Sequence, residues 1–147
     1  MILENYLSEI QSGKDRLDAY DKEFYDSIDK GDQMLPDHPK GKYYTLISKN
    51  KKVAITGVIS IKREYFQIAV HQKFRRKGYL KICADLIAKK HKIKLLVSSI
   101  LEDNKVSIGA HLKAGFRKLT KEEEKEEWRK NKKYKRPNSI TLIKEYK

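Results

Sequence analysis

One cysteine, one tryptophan and three prolines occur in 147 residues, and no apolar run approaches the ~20 residues of a membrane helix. A lone cysteine excludes an internal disulfide and a cysteine-built metal cluster. Cys83 falls on the apolar face of a predicted helix, where a small buried hydrophobe is expected. The first residues, Met-Ile-Leu-Glu-Asn-Tyr, lack the basic start and apolar stretch of a secretory signal. His38, His71, His91 and His111 show no metal-ligand spacing, and no acidic cluster joins them. Ser98-Ser99 has none of the glycines of a nucleophile elbow. Metal sites and hydrolase chemistry are therefore not expected. A soluble cytoplasmic protein is, and the length suits one domain over residues 1–147.

What is abundant is positive charge. Lys and Arg number 34 against 20 Asp and Glu, a net +14, which points to an anionic partner. Of the basic residues 27 are Lys and 7 are Arg, and lysine is the poorer fork for bidentate phosphate binding. The charge is uneven. Residues 1–30 hold 8 acids and 4 bases, whereas residues 31–147 hold 12 acids and 30 bases, so an acidic front precedes a basic body.

Hydrophobic spacing predicts a mixed architecture. Residues 2–29 read as helix in two pieces broken at Ser12-Gly13, with Leu7 and Ile10 on one apolar face and Leu17, Tyr20, Phe24 and Ile28 on the next. Gly31, Pro36, Pro39 and Gly41 mark a loop over 31–41. Strands follow at 43–48, 53–62 and 65–71, an antiparallel meander. A helix is predicted over 79–91, with Tyr79, Ile82, Cys83, Leu86 and Ile87 inward and Lys81, Asp85 and Lys89 on the opposite face. The apolar strand 93–100 implies burial on both faces. A short helix over 104–114 ends at Gly115, a residue suited to a left-handed cap. A strand at 116–119 precedes a capping box, Thr120 to Glu123, that opens an exposed helix within 120–136. Trp128 is its one large apolar anchor. The last strand is 139–146.

The segment from Phe66 to Lys81 carries the most information. An apolar strand enters the basic turn Lys73-Phe74-Arg75-Arg76-Lys77-Gly78, which opens directly onto a helix. Such a turn aims backbone N–H groups and the positive end of a helix dipole at one point, as phosphate binding requires.

Two spaced motifs in this order resemble the GCN5-related N-acetyltransferase (GNAT) family. In the first, Val70 ends a strand and Arg75-Arg76-Lys77-Gly78-Tyr79-Leu80 fills the family's [Arg/Gln]-x-x-Gly-x-[Gly/Ala] pattern except at its last position. In the second, Asn104, His111 and Gly115-Phe116 keep the family's spacings, with histidine in place of the usual tyrosine. The resemblance covers about residues 43–119. It implies an α/β (α+β) fold, a single GNAT-like domain whose central mixed, mostly antiparallel sheet is flanked by helices, with strands splayed at the CoA site.

The resemblance also implies acetyl-CoA as co-substrate and direct transfer of its acetyl group to an amine acceptor, a protein lysine or N-terminus or a small cationic amine. The backbone N–H groups of Arg76 through Lys81 (Arg76, Lys77, Gly78, Tyr79, Leu80, Lys81), with the charge of Arg75, would cradle the pyrophosphate. Ile68, Ala69 and Val70 would pair with the pantetheine amides like an added strand. Asn104, Ser107 and His111 fall on one helix face, which the resemblance points at pantetheine and thiol.

Departures bear on the chemistry. Leu80 replaces the small residue that lets the helix approach phosphate. His111 stands where a tyrosine usually protonates the departing thiolate, a role histidine can fill near neutral pH. Ser99 stands where the branch acting on ribosomal-protein N-termini has a glutamate base. Glu64, eleven residues before Arg75, is in the register of the base of the histone-type branch, and His71 is a further candidate. The family begins with a strand, where residues 1–11 here read as helix. An acidic, aromatic front (Asp18, Asp21, Asp26, Tyr20, Phe24, Tyr25) would suit a cationic amine at the acceptor site. Two alternatives remain open. One is an acyltransferase acting on nucleic acid or ribonucleoprotein, docking through the basic segment 129–136 with Trp128 and Tyr134. The other is a catalytically inactive CoA-binding or interaction protein on the same fold.

Overall fold

The computed structural model describes residues 14–29, 36–134 and 136–147. The helix read over the first half of 2–29 lies outside the described residues. The elements in chain order are β1 (Arg16–Ala19), α1 (Lys22–Asp26), β2 (Gly41–Ser48), β3 (Lys51–Ile61), β4 (Arg63–Val70), a 3-10 turn (Gln72–Phe74), α2 (Tyr79–His91), β5 (Leu95–Leu101), α3 (Lys105–Lys113), β6 (Arg117–Lys118), α4 (Lys121–Asn131), a second 3-10 turn (Lys132–Tyr134) and β7 (Ser139–Glu145).

The strands form one seven-stranded sheet in the order β1-β2-β3-β4-β5-β7-β6. Every pairing is antiparallel except β4 with β5. That parallel contact is short: only Glu64 with Leu96 and Tyr65 with Val97 are paired. Beyond them the two strands part, as the expected splayed sheet requires. Strand β7 follows β6 in the chain but lies between β5 and β6, so the two-residue β6 pairs with β7 alone.

Residues 16–19, expected as helix, are a strand paired with Tyr44 to Ile47 of β2. The spacing of Leu17, Tyr20, Phe24 and Ile28 imitates a helical stripe because a strand and a five-residue helix here send side chains to neighbouring parts of the core. Leu17 packs with one cluster, while Tyr20, Phe24 and Ile28 pack with the other. Tertiary pairing overrides local periodicity, and the sheet gains the leading strand that the family plan includes.

Helix α2 covers one face of the sheet. Cys83, Ala84, Ile87 and Ala88 are buried against Leu46, Val58, Phe66, Leu96 and Leu142, and the fully buried Ile87 contributes on the order of 2–3 kcal/mol. Cys83 is, as expected, a small buried hydrophobe. On the other face Tyr25 and Ile28 cover Ile55 and Ala69. Asp85 is not a solvated residue of the outer helix face. Lys144 Nζ donates to it at 2.8 Å, Tyr146 Oη at 2.9 Å and Lys81 Nζ at 2.6 Å. Burial works to raise its pKa, and these donors outweigh burial and hold the carboxyl below the usual range.

Helix α4 opens with the expected capping box, Thr120 accepting from the Glu123 N–H and Glu123 accepting from the Thr120 N–H. Its anchor differs from expectation. Trp128 is 63% exposed, and α4 meets the sheet through two carboxylates: Glu127 accepts from Arg63 Nη1 at 2.5 Å and from Nη2 at 2.6 Å, and the more exposed Glu123 accepts from Arg117 of β6 at 2.7 and 2.9 Å. Arg63 Nη2 also donates to Tyr65 Oη at 2.6 Å. Arginine's planar fork fits a carboxylate through two bonds, which a tryptophan edge cannot do.

Candidate functional site

Where β4 and β5 part, a cleft of about 590 Å³ opens. Strand alternation divides its lining. Phe66, Ile68 and Ser98 face it together with Asn104, Ser107 and His111 at the start and along helix α3; Tyr65, Gln67 and Ser99 face it together with Ile59, His38 and Arg136.

Helix α3 is set by Asn104, whose Oδ1 accepts from the Ser107 N–H at 3.1 Å, a side-chain N-cap. One turn on, His111 is 4% exposed, with its ring edge-on to Phe116 at 5.0 Å and to Phe66 at 6.3 Å. His111 Nδ1 lies 2.8 Å from the Ser107 carbonyl oxygen. A carbonyl can only accept, so Nδ1 carries the proton and donates it, and Nε2 of the neutral ring keeps its lone pair. Burial pushes the His111 pKa below its ordinary value, against a smaller opposing effect of the Ser107 carbonyl. His111 is thus held neutral, with an unprotonated Nε2.

Two buried polar atoms in the same cleft, Ser98 Oγ and Gln67 Oε1, have no hydrogen-bond partner. Ser98 is 2% exposed. Leaving such atoms unpaired costs about 1–3 kcal/mol each, so they read as groups that a ligand satisfies. Nearer the mouth, Arg136 Nη2 donates to the Ser99 carbonyl at 2.6 Å. His38 is held opposite through its backbone N–H, which donates to Tyr43 Oη at 3.2 Å. The Tyr43 ring lies flat across β3 only because residue 57 is glycine: a Cβ there would stand 2.5 Å from Tyr43 Cδ1 and 2.6 Å from the Lys42 carbonyl oxygen.

At the far end of β4 the basic turn leads into α2. Gly78 is its N-cap, with φ +81°, and supplies no side-chain cap, so the first-turn N–H groups of α2 are left for an external acceptor. No atom lies within 4 Å of where a Gly78 Cβ would stand, so positive φ, rather than crowding by the chain, calls for glycine. The turn is braced from behind. Arg75 Nε donates to the Val70 carbonyl at 3.1 Å and Nη2 to the Asp29 carbonyl, while Gln72 Oε1 accepts from the Asp29 N–H at 2.9 Å.

Solved structures share this architecture. An acetyltransferase from Bacillus subtilis in complex with CoA has a TM-score of 0.58 at 14% identity, covering 90% of this chain and 98% of that one. An IAA acetyltransferase from Bacillus cereus has 0.56 at 17%, covering 90% and 100%. A GNAT family acetyltransferase from Elizabethkingia anophelis with acetyl-CoA bound has 0.51 at 21%, covering 73% and 77%. No family model matches the sequence, and no curated protein does. The fold is that of the GNAT acetyltransferases.

On the GNAT fold the residues expected around CoA take distinct positions. Ile68 lines the cleft, whereas Ala69 points to the other face and is buried beside Tyr25 and Ile28. The Val70 carbonyl is engaged by Arg75, so Arg75 acts as a brace within the turn. Arg76 is exposed with φ +64°, Lys77 lies over the Phe74 ring at 5.9 Å, and Tyr79 meets that ring edge-on at 6.5 Å. Leu80 packs against the core, which turns its side chain away from the uncapped N–H groups. Lys81 pairs with Asp85. Asn104, Ser107 and His111 come together on one face at the cleft.

Glu64 does not join them. It sits in the short paired part of β4, accepts from Ser60 Oγ at 2.5 Å, and is absent from the cleft lining. His71 is stacked on Phe24 at 5.6 Å and accepts from the Lys73 N–H at 3.1 Å; burial, then Lys73 and Arg75, push its pKa down, and it holds the turn rather than the cleft. Two of the acids expected to wall the acceptor site have partners of their own. Asp21 caps α1 and pairs with Lys52, and Asp26 pairs with Lys22 at 2.8 Å. In the basic segment, Arg129 and Lys130 pair with Glu126 and Arg136 turns in to the cleft.

Gln67, Ser98 and Arg136 escaped sequence reasoning as site residues. The signal was present for the first two: each is a polar residue interrupting an otherwise apolar strand. Arg136 gave none, because it lies in a run of other bases. No helix among the described residues is long and apolar enough to cross a membrane.

Proposed function

We infer that the protein is an acetyl-CoA-dependent N-acetyltransferase acting on a primary amine. The observation that carries this reading is the parted β4 and β5, with the uncapped N-terminus of α2 at one end of β4 and the neutral, proton-accepting His111 within the cleft. Structural neighbours that hold CoA or acetyl-CoA have the same fold. The residues present fit such a substrate. The N–H groups of Tyr79, Leu80 and Lys81 would take a pyrophosphate without interference from a Gly78 side chain, and Asn104 and Ser107, which line the cleft, would border the pantetheine arm.

In the reaction the amine nitrogen forms a bond to the acetyl carbon and the carbon–sulfur bond breaks. The amine enters the step as the free base, its ammonium proton having gone to solvent. His111 takes the proton lost on attack at Nε2, and the imidazolium so formed can return it to the departing sulfur, which balances the step. Glu64 has no part in this scheme. Much of the rate then comes from holding both reactants in one cleft.

Calorimetric titration with acetyl-CoA and dephospho-CoA tests the reading. Micromolar binding is expected for the wild type, and Gly78→Trp should weaken it tenfold or more by filling the space before the α2 N-terminus. Folded wild-type protein that binds neither ligand would sink the assignment.

A further inference from the structure

We propose that the acceptor amine is an amino acid, and that Arg136 holds its carboxylate. The inference rests on the acetyl-transfer reading and narrows its acceptor. Four observations converge on it.

Arg63, Arg117 and Arg129 each pair with a carboxylate. Arg136, at the cleft, pairs with none among the described residues. It is instead tethered to a neutral strand, with Nη2 on the Ser99 carbonyl at 2.6 Å and Nε 3.5 Å from Ser99 Oγ. These contacts fix the guanidinium plane and leave Nη1 without a bond, the arrangement a bidentate anion site needs.

A second donor lines the same cleft. His38 Nδ1 accepts from the Lys40 N–H at 3.0 Å, so the ring proton sits on Nε2 and His38 presents a donor to the cleft mouth. Asp37 shares that mouth.

Deeper in, the chemistry changes to acceptors. Gln67 Oε1 is buried and unpartnered, and His111 lines the same cleft from the other half of its lining. Together they can receive the hydrogens of an amine. Finally, Ile59, Ile61 and Leu101 add an apolar wall, which suits an aliphatic or aromatic side chain. A polyamine or an isolated lysine ammonium brings no carboxylate for Arg136 and would meet it as a like charge.

The test is binding, read independently of turnover. L-Leucine and L-phenylalanine are titrated into the CoA-saturated protein beside L-leucinamide, 3-methylbutylamine and 2-phenylethylamine, which keep the amine and lack the carboxylate. The amino acids should bind about tenfold or more tightly than their counterparts, the gain of a charge-assisted pair. In Arg136→Gln that ratio should fall to about one, and Arg136→Lys, which keeps the charge, should retain part of it. Equal affinities in the wild type, or an Arg136→Gln variant that loses amino acid and amine alike, would overturn the proposal. Loss of CoA binding and of all acetyl transfer is a different result, and it would remove the parent reading.

Discussion

Replacing His111 by glutamine is expected to lower kcat by about a hundredfold or more, the usual worth of a positioned general base, while acetyl-CoA affinity changes little. Glutamine fills much of the same space between Phe66 and Phe116 and can still donate toward the Ser107 carbonyl, but it cannot take a proton. The pH dependence carries the second half of the expectation. Burial lowers the His111 pKa from its ordinary value of 6.5, so the competent neutral form persists as pH falls below that value. At saturating acceptor, kcat should hold through the ordinary histidine range and decline only as pH drops through the depressed pKa. The Gln variant should lack that decline. A variant with wild-type kcat, or one that keeps the same acidic limb, would mean that the proton goes elsewhere.

Glu127→Ala should be the most destabilising single change on helix α4, at about 3 kcal/mol in urea unfolding. The carboxylate side chain is 11% exposed and its Arg63 partner 19%, so removal strands a largely buried guanidinium, which typically costs ~3–5 kcal/mol. The lower end applies because Tyr65 Oη continues to accept from Arg63. Arg63→Met combined with Glu127→Met removes both charges and should recover much of the loss. A single variant within ~0.5 kcal/mol of wild type, the range of ordinary surface substitutions, would show that α4 is held by something other than this pair.

Local rules made some elements legible and left others hidden. Helix α2 was readable to its ends because a glycine precedes it and apolar residues recur at three and four. The Asn104 cap, the turn at Gly115 with φ +98° and the capping box at Thr120 follow from single-residue chemistry with short reach. Strand β1 was hidden because its pairing with β2 is a long-range choice that no local pattern encodes. Trp128 misled for a related reason. A large apolar side chain is a good candidate for burial on average, but the buried contact of α4 is the Glu127 fork to Arg63, and the partner that makes a glutamate an anchor is 64 residues away. At the site, spacing placed Asn104, Ser107 and His111 together, yet which His111 nitrogen carries the proton depends on one carbonyl at 2.8 Å. Glu64 was chosen by register alone; it shares a strand face with Phe66 and Ile68 but lies where β4 is still paired with β5, and Ser60 donates to it.

The strand order has a kinetic consequence. Strands β2, β3 and β4 are joined by tight turns, so their pairing closes only short loops and costs little entropy. Strand β5 must wait for α2 to cross the sheet, and β7 must enter between β5 and β6 before β6 has anything to pair with. Contacts of such separation form slowly. In pulse-labelled refolding the amides of β2 to β4 should therefore gain protection before those of β5 and β7, and the reverse order would refute it. One wall of the cleft is then complete early and waits for the other, so an incompletely folded chain exposes β4, with its apolar residues and unpaired edge, as the surface most open to wrong partners.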